Sequence, residues 1–353
     1  MYLLALDWWL IIEKAALILV IVGLSFFIAM YTTYAERKVA AWLQDRRGPN
    51  RAGPFGIFQP LADGGKLFFK EEIIPLASSK FLFVLGPSLA MLTALLTSAV
   101  IPWGGTLHLF GRDISLQIAD VNIGILYVFG VLSLGVYGIM IGGWASNNKF
   151  SLLAAIRGAS QMISYELAMG LSLLAVLMLT GTLQMSGIVG NQIQGNNIWH
   201  VVYQPLGFFI FFVCALAECN RTPFDLPEAE NELNFGYHQE YSSMKLGFYL
   251  FAEYINMFIS SAIMATLFFG GYDILPFVDE TKWGLPHNLL VTLGFVALMG
   301  KIFFFLFVFI WIRWTIPRFR YDQLMNLGWK KMIPLALANM VITAAVVLWL
   351  KSR

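Results

Sequence analysis

The chain has 353 residues, of which 58% are apolar and 12% charged, and its formal net charge is +2. A soluble domain carries about 25% charged residues, so this composition argues against a soluble protein, and the small net charge argues against a nucleic-acid-binding surface. The two cysteines, Cys214 and Cys219, provide neither a disulfide framework nor a set of metal ligands.

The apolar residues fall in long blocks, each close to the length of about 20 residues that a bilayer-spanning helix needs. Because an isolated span must satisfy its own backbone hydrogen bonds in lipid, the chain is predicted to be an all-α, polytopic membrane protein. It shows no internal repeat, so residues 1–353 are interpreted as one membrane domain. The predicted spans are 14–35, 81–102, 121–143, 166–188, 201–219, 246–271, 288–312 and 332–350.

The distribution of Lys and Arg predicts the orientation. Seventeen of these residues lie in the loops after spans 1, 3, 5 and 7, and four lie in the remaining loops and the C-terminal tail. Positive charge marks the cytoplasmic side of a membrane. The odd-numbered loops are therefore expected in the cytoplasm and both termini outside.

The first cytoplasmic loop, "ERKVAAWLQDRRGPNRAGPFGIFQPLADGGKLFFKEEIIP", is long, rich in turn-forming Gly and Pro, and mixes aromatic with charged residues. A plain positive-inside anchor explains its basic residues but leaves its aromatic residues unexplained. The alternative interpretation is the wall of a cavity that a partner protein covers.

The third cytoplasmic loop is acidic. Asp225, Pro227 and Glu228 have the spacing of a helix start, with Asp as the N-cap and Pro in the first turn. Such a helix would put Glu228 and Glu232 on one face and turn Glu230 aside. Complementing the helix dipole accounts for one or two acids, but the acids continue into span 6.

Four carboxylates lie in or beside predicted spans: Glu36, Glu166, Glu218 and Glu253. Lys301 lies well inside span 7. Ionisable groups at such depths are unfavourable and usually face a paired or hydrated interior. A series of acids that runs from a cytoplasmic loop into the bundle indicates a proton or ion relay.

Motif searches for other chemistry are negative. The sequence has no Gly-rich phosphate loop, Cys-x-x-Cys, His-Glu-x-x-His or nucleophile elbow. The spacing of the histidines does not match a set of metal ligands. The four histidines are His108, His200, His238 and His287. No redox cofactor is therefore expected on this chain.

Several segments resemble a known family. "AERKVAAWLQDRRGPNRAGPFGIFQPLADGGKLFFKE" resembles the first cytoplasmic loop of the H subunit of respiratory complex I, the counterpart of mitochondrial NADH dehydrogenase subunit 1. "GWASNNKFSLLAAIRGASQMISYE" resembles its second loop, and "AECNRTPFDLPEAENELNFGYHQEYSSMK" its third. "FAEYINM" and "RFRYDQLMNLGWK" resemble span 6 and the last loop, so the similarity covers nearly the whole chain in family order.

The resemblance implies a membrane subunit of a proton-pumping NADH:quinone oxidoreductase in the bacterial inner membrane. It implies that ubiquinone or menaquinone is the substrate, that FMN and iron–sulfur clusters lie on partner subunits, and that the partners are the hydrophilic-arm quinone-site subunits and the other membrane-arm subunits. The implied relay carboxylates are Glu36, Asp63, Glu166, Glu218, Glu228, Glu230, Glu232, Glu240 and Glu253. The implied quinone-binding residues are Glu36, Arg37, Arg46, Arg51, Asp63 and Lys66.

Two other functions fit the pattern less well. Related hydrogenase-type or other-donor ion-pumping complexes share several of the acids, but the uninterrupted "NRTPFDLPEAE" and "RRGPNRAGPFG" favour the complex I type. A stand-alone secondary transporter often has paired half-chain repeats with broken helices, which this sequence does not display.

Overall fold

The computed structural model describes residues 8–109, 111–194, 198–278 and 284–352, and these residues are mostly helical. In chain order the helices are α1 (Trp8–Leu43), α2 (Gln59–Phe69), α3 (Lys80–Thr97), α4 (Gly124–Ala145), α5 (Lys149–Thr180), α6 (Met185–Gln194), α7 (His200–Tyr203), α8 (Pro205–Glu218), α9 (Glu230–Leu233), α10 (Ser243–Phe268), α11 (His287–Thr315), α12 (Tyr321–Asn326) and α13 (Ile333–Lys351). Strands β1 (Thr106–Leu109) and β2 (Arg112–Ser115) form an antiparallel hairpin after α3.

Within the described residues, seven helical stretches are long and apolar enough to cross a membrane, and the fold is therefore the expected polytopic bundle. Three of these stretches clearly exceed the predicted spans. The first span, predicted as 14–35, is part of the 36-residue α1. The fourth span, predicted as 166–188, lies mostly in α5, which begins at Lys149 and ends at Thr180. The last runs without a break from Tyr321 to Lys351, because a π-helical segment, Leu327–Met332, joins α12 to α13.

The predicted fifth span, 201–219, is wrong as one continuous helix. It consists of α7 and α8, which meet at Gln204 and Pro205. Proline has no N–H to donate, so it is accommodated in the first turn of a helix and not in its interior. The fourteen residues of α8 measure about 21 Å, whereas the hydrocarbon core of a bilayer is about 30 Å thick.

Helices α3 and α4 pack with their backbones close together. A Cβ added to Gly138 of α4 would lie 2.9 Å from the backbone nitrogen of Ala90 in α3. A Cβ added to Gly142 would collide with the hydroxyl of Tyr249, which belongs to α10. Small residues allow such close approach between membrane helices.

Helix α10 lies at the centre of the bundle and contacts α1, α3, α8 and α11. It is the most buried of the long apolar helices. Tyr249 donates a 3.1 Å hydrogen bond to the carbonyl oxygen of Gly138 and so fixes α10 against α4. This central position places Glu253 and Tyr254, one turn further along α10, in the interior.

The predicted helix start at Asp225 is wrong. Helix α9 has four residues, begins at Glu230 and is preceded by Ala229 without a side-chain cap. Asp225 instead forms an ion pair with Arg318 at 3.0 Å. Phe224 and Leu226 are buried on either side of Asp225, so packing of this irregular segment into the protein overrides the local helix signal.

Candidate functional site

A pocket of about 410 Å³ lies between α1, α2 and α10. Its walls are mostly apolar, with Met30, Leu67 and Phe251 among the lining residues. Its charged lining residues are Glu36, Arg37 and Asp63, and Arg37 pairs with Asp63 across α1 and α2 at 2.7 Å. An apolar pocket with a few convergent polar groups is the usual form of a small-molecule site.

The predicted quinone-binding residues divide into two groups. Glu36, Arg37 and Asp63 line the pocket. The other three do not line the pocket and are exposed. They are Arg46, Arg51 and Lys66. Nε of Arg46 donates to the side-chain oxygen of its neighbour Gln44 at 2.7 Å.

Glu36 is the most enclosed charged group of this pocket, with 8% of its side chain exposed. Its Oε1 lies 2.5 Å from Arg313 of α11, and its Oε2 accepts a 2.8 Å hydrogen bond from the hydroxyl of Tyr254. Three helices therefore meet at this carboxylate.

Arg221 lies on the interior side of Tyr254. Its guanidinium carbon is 4.2 Å from the centre of the Tyr254 ring, and its Nη2 is 3.5 Å from Oε2 of Glu253. The side chain is buried, and Nε and Nη2 lack an aligned hydrogen bond within the described chain. The cation is thus held between Glu253 and Tyr254, by charge on one side and by stacking on the ring on the other.

Glu253 belongs to a second cluster with Glu228 and His238. Nδ1 of His238 lies 3.3 Å from Oε1 of Glu228, and the hydroxyl of Tyr237 donates a 3.1 Å hydrogen bond to Oε1 of Glu253. Burial disfavours the charge on Glu228, but the contact with His238 and the charge of Arg221 lower the pKa of Glu228 below its ordinary value.

Asp225 lies beside this cluster, and its pKa is shifted in the opposite direction to that of Glu228. Burial raises the pKa of Asp225 to about 7, and the charge of Glu228 adds to the rise. Arg318, which pairs with Asp225, opposes it, as do Arg313 and Arg221. Two carboxyl groups of one loop therefore differ in protonation near neutral pH, since their surroundings shift their pKa values in opposite directions.

A small cavity joins Glu253 to Glu218. It measures about 30 Å³ and is lined by both carboxylates together with Asn220 and Tyr249. A polar cavity needs about 10–15 Å³ to hold one water molecule, so this one has room for water. Oε2 of Glu218 is buried without a hydrogen-bond partner in the described residues.

The remaining predicted relay acids have different surroundings. Glu166 accepts a short hydrogen bond from Ser133. Glu240 accepts one from Asn148 at 2.8 Å, and Glu232 pairs with Arg157 at 2.9 Å near the surface. Glu228 and Glu232 do not share a helical face, which corrects that prediction. The side chain of Glu230 lies outside the part of the chain that the structure describes.

Sequence reasoning missed three residues that connect these groups: Tyr254, Arg221 and His238. Tyr254 directly follows the predicted acid Glu253 in "AEY". Arg221 lies three residues after the predicted acid Glu218 in "AECNR". The spacing of the histidines gives no signal for His238. The contact between Glu228 and Glu253 arises from tertiary folding, which no spacing along one sequence reveals.

The comparisons with known proteins agree with one another. The profile of the NADH dehydrogenase family matches residues 15–344. An H subunit of the NADH-quinone oxidoreductase of Cytophaga hutchinsonii is 64% identical over 338 residues, covering 96% of this chain and 97% of that one. The corresponding H subunit of Flavobacterium johnsoniae is 62% identical, with 96% of both chains covered, and one from Geobacter metallireducens is 49% identical, with 96% and 97% covered.

Proposed function

The chain belongs to the NADH dehydrogenase family of complex I membrane subunits, and on this basis we propose that it forms a quinone-binding chamber and relays the redox change of the quinone to proton translocation. The observation that carries the proposal is a series of contacts from the pocket into the interior. It runs from Glu36 through Tyr254 and Arg221 to Glu253, and then across the small cavity to Glu218.

The pocket between α1, α2 and α10 suits a lipid quinone. Its apolar walls match an isoprenoid chain, and Glu36, Arg37 and Asp63 provide polar contacts for a head group. Ubiquinone and menaquinone both have this division between an apolar tail and a polar ring. FMN accepts the electrons from NADH, and an iron–sulfur cluster passes them to the quinone. Both cofactors lie on partner subunits.

The exposed part of the first loop is the proposed contact with the hydrophilic-arm subunits. Phe55, Phe68 and Phe69 are exposed there, and 93% of Phe69 is accessible in the isolated chain. Arg46, Arg51 and Lys66 lie on the same loop and helix α2. An exposed set of aromatic side chains bordered by charge is typical of a protein interface.

The relay acts through charge. The two electrons that reduce a quinone bring negative charge near Glu36 until two protons neutralise it, and this transient charge acts on Arg221 through Tyr254. At about 4 Å and an effective dielectric constant near 20, two unit charges interact by about 4 kcal/mol. A small displacement of Arg221 relative to Glu253 is therefore sufficient to change the protonation of the Glu228 and Glu253 pair. Glu218 and Glu166 continue the relay in the membrane, and Glu230, Glu232 and Glu240 belong to its cytoplasmic end.

The proposed orientation places the odd-numbered loops in the cytoplasm. The excess of Lys and Arg in these loops supports it. The hydrophilic arm then binds on the cytoplasmic face, while the β1–β2 hairpin and the outer ends of α1 and α13 lie on the opposite side.

Glu253→Gln and Glu218→Gln test the relay in the assembled complex. Each substitution keeps the size of the side chain and removes its titratable charge. Both are expected to lower NADH-driven quinone reduction and proton uptake in vesicles together, by at least about tenfold, which corresponds to about 1.4 kcal/mol. Asp120→Asn is the control, since Asp120 binds Gln184 and Ser186 outside this network. Normal rates in both Gln variants, with normal assembly, would contradict the relay.

A further inference from the structure

Glu228, His238 and Glu253 have the arrangement of a metal site. One ligand atom from each residue lies within 4.8 Å of the other two. Two ligands bound to a tetrahedral Zn²⁺ at about 2.0–2.1 Å are about 3.3 Å apart, and the distance between Nδ1 of His238 and Oε1 of Glu228 is already 3.3 Å. Contraction of the remaining distances from at most 4.8 Å to about 3.3 Å completes the geometry.

The donor atoms of this cluster are available. His238 is completely buried, and neither ring nitrogen makes an aligned hydrogen bond within the described chain. Oε2 of Glu253 is likewise buried without a hydrogen-bond partner there. Buried polar groups are normally paired, so each unpaired one requires an explanation. A bound cation accounts for Nδ1 of His238 and Oε2 of Glu253 together.

The charges at the cluster favour a divalent ion. Two carboxylates and a neutral imidazole give a formal charge of −2, and Arg221, 3.5 Å from Oε2 of Glu253, balances one unit. Tyr237 contributes a neutral hydroxyl that donates to Oε1 of Glu253. A divalent ion that displaces Arg221 from Glu253 leaves the cluster neutral.

The donor types favour a transition metal over Mg²⁺ or Ca²⁺. Imidazole nitrogen and carboxylate oxygen are ligands that zinc accepts, and an open zinc site has three protein ligands with water in the fourth position. Mg²⁺ and Ca²⁺ take six or more oxygen ligands, which these residues do not provide. The cavity of about 30 Å³ beside Glu253 has room for the water ligand, and Glu228 keeps 12% of its side chain exposed.

We propose that Glu228, His238 and Glu253 bind a divalent transition-metal ion, with Zn²⁺ as the probe. The bound ion holds both carboxylates in their charged form. Binding follows from the cluster alone, whereas an effect of zinc on turnover rests on the proposed relay function.

The experiment uses the intact complex that contains this chain, freed of loosely bound metal and titrated with ZnCl₂. Three forms are compared: wild type, His238→Asn and the matched control His200→Asn. His200 is also buried, but its Nδ1 contacts the carbonyl oxygen of Leu267, away from the cluster. The readouts are zinc retained per complex, zinc X-ray absorption, and quinone reduction relative to the zinc-free rate of each form.

Wild type and His200→Asn are expected to retain one zinc more than His238→Asn, with one imidazole and oxygen ligands around it. Half-inhibition of His238→Asn is expected to need at least tenfold more zinc. Equal zinc retention in all three forms would overturn the site. Zinc that is retained through His238 but leaves turnover unchanged supports the site and contradicts the relay.

Two further measurements keep the proposal testable if His238→Asn does not assemble. His238→Gln is a second variant that also removes the imidazole. In the wild-type complex, zinc inhibition should weaken as the pH falls, because protons compete for the ligands. A wild-type absorption spectrum without an imidazole ligand, or inhibition that strengthens at low pH, would overturn the proposal.

Discussion

The hydroxyl of Tyr254 on α10 donates a 2.8 Å hydrogen bond to Oε2 of Glu36 on α1, although 218 residues separate the two in sequence. The bond lies at the wall of the apolar pocket, where Tyr254 and Glu36 are both lining residues. The ring of the same tyrosine stacks on Arg221, whose guanidinium is 4.2 Å from the ring centre. One side chain thus contacts both the pocket and Arg221, which pairs with Glu253.

Tyr254→Phe should uncouple these two regions while keeping the ring. A hydrogen bond to a charged group contributes about 1.5–3 kcal/mol, so quinone reduction by the assembled complex is expected to fall about tenfold. Tyr127→Phe is the control, since it removes a hydroxyl that bonds to Leu96 outside the pocket. Equal turnover of both variants and wild type would show that the Tyr254 hydroxyl has no part in coupling.

The contribution of Glu36 to stability should depend on the presence of Arg313, and that of Arg313 on Glu36. Arg313→Gln leaves the carboxylate of Glu36 buried without its cation, at a cost of about 3 kcal/mol. Adding Glu36→Gln should restore most of the loss, because the two amides are neutral. Thermal inactivation of the assembled complex measures the stability of wild type, the two single variants and the double variant. The exposed Arg157–Glu232 pair should change by less than about 1 kcal/mol in the same cycle. Strictly additive losses at Glu36 and Arg313 would argue against the pairing.

Asp225 should make stability depend on pH. Its pKa in the folded protein is about 7, above the ordinary value of about 4. Between these values the folded state binds more protons than the unfolded state, so stability falls as the pH rises, by at most about 1.4 kcal/mol per unit. Asp225→Asn cannot titrate, so its midpoint of thermal unfolding should rise relative to wild type between pH 5 and pH 8. Parallel pH profiles would contradict this assignment.

Gly142 should tolerate no side chain. An alanine Cβ there meets the hydroxyl of Tyr249, and overpacking typically costs about 1–3 kcal/mol. Gly142→Ala should therefore reduce the yield of assembled complex. Gly130→Ala in the same helix has no atom within 4 Å of the added Cβ and should be neutral or slightly stabilising. Tyr249→Phe should partly rescue Gly142→Ala, and failure of that rescue would locate the defect elsewhere.

Cysteine labelling tests the orientation. Asn191→Cys, on the proposed outer side, should react with an impermeant thiol reagent in intact cells. Asn50→Cys and Asn326→Cys should react only after permeabilisation and removal of the peripheral subunits. The native cysteines are buried and should give little background. Labelling of Asn50→Cys in intact cells would reverse the proposed topology.

Apolar block length predicts the bundle well, since a bilayer imposes one requirement on every span. The same rule fails at 201–219, because Pro205 divides an otherwise apolar block into two helices. Glu36, Arg37 and Asp63 are predictable from their segments and lie together in one pocket.

The third loop is less predictable. Asp225, Pro227 and Glu228 have the local pattern of a helix start, but Asp225 pairs with Arg318 and Glu228 contacts His238. These partners come from distant turns of the chain, and the burial of Phe224 and Leu226 in the protein overrides the local helix preference. Pairings of this kind depend on the folded surroundings, which one sequence does not contain.

The shortness of α8 has an electrical consequence. A helix of about 21 Å cannot bring both of its ends to the surfaces of a hydrocarbon layer about 30 Å thick, so Gln204 and Glu218 cannot both be level with the surface. In a polarised membrane the voltage falls across this whole layer. A proton that reaches a recessed Glu218 has already crossed part of that field, and a full crossing is worth about 2.3 kcal/mol per 100 mV. In the proposed relay, the proton occupancy of a recessed Glu218 therefore depends on the membrane voltage as well as on pH.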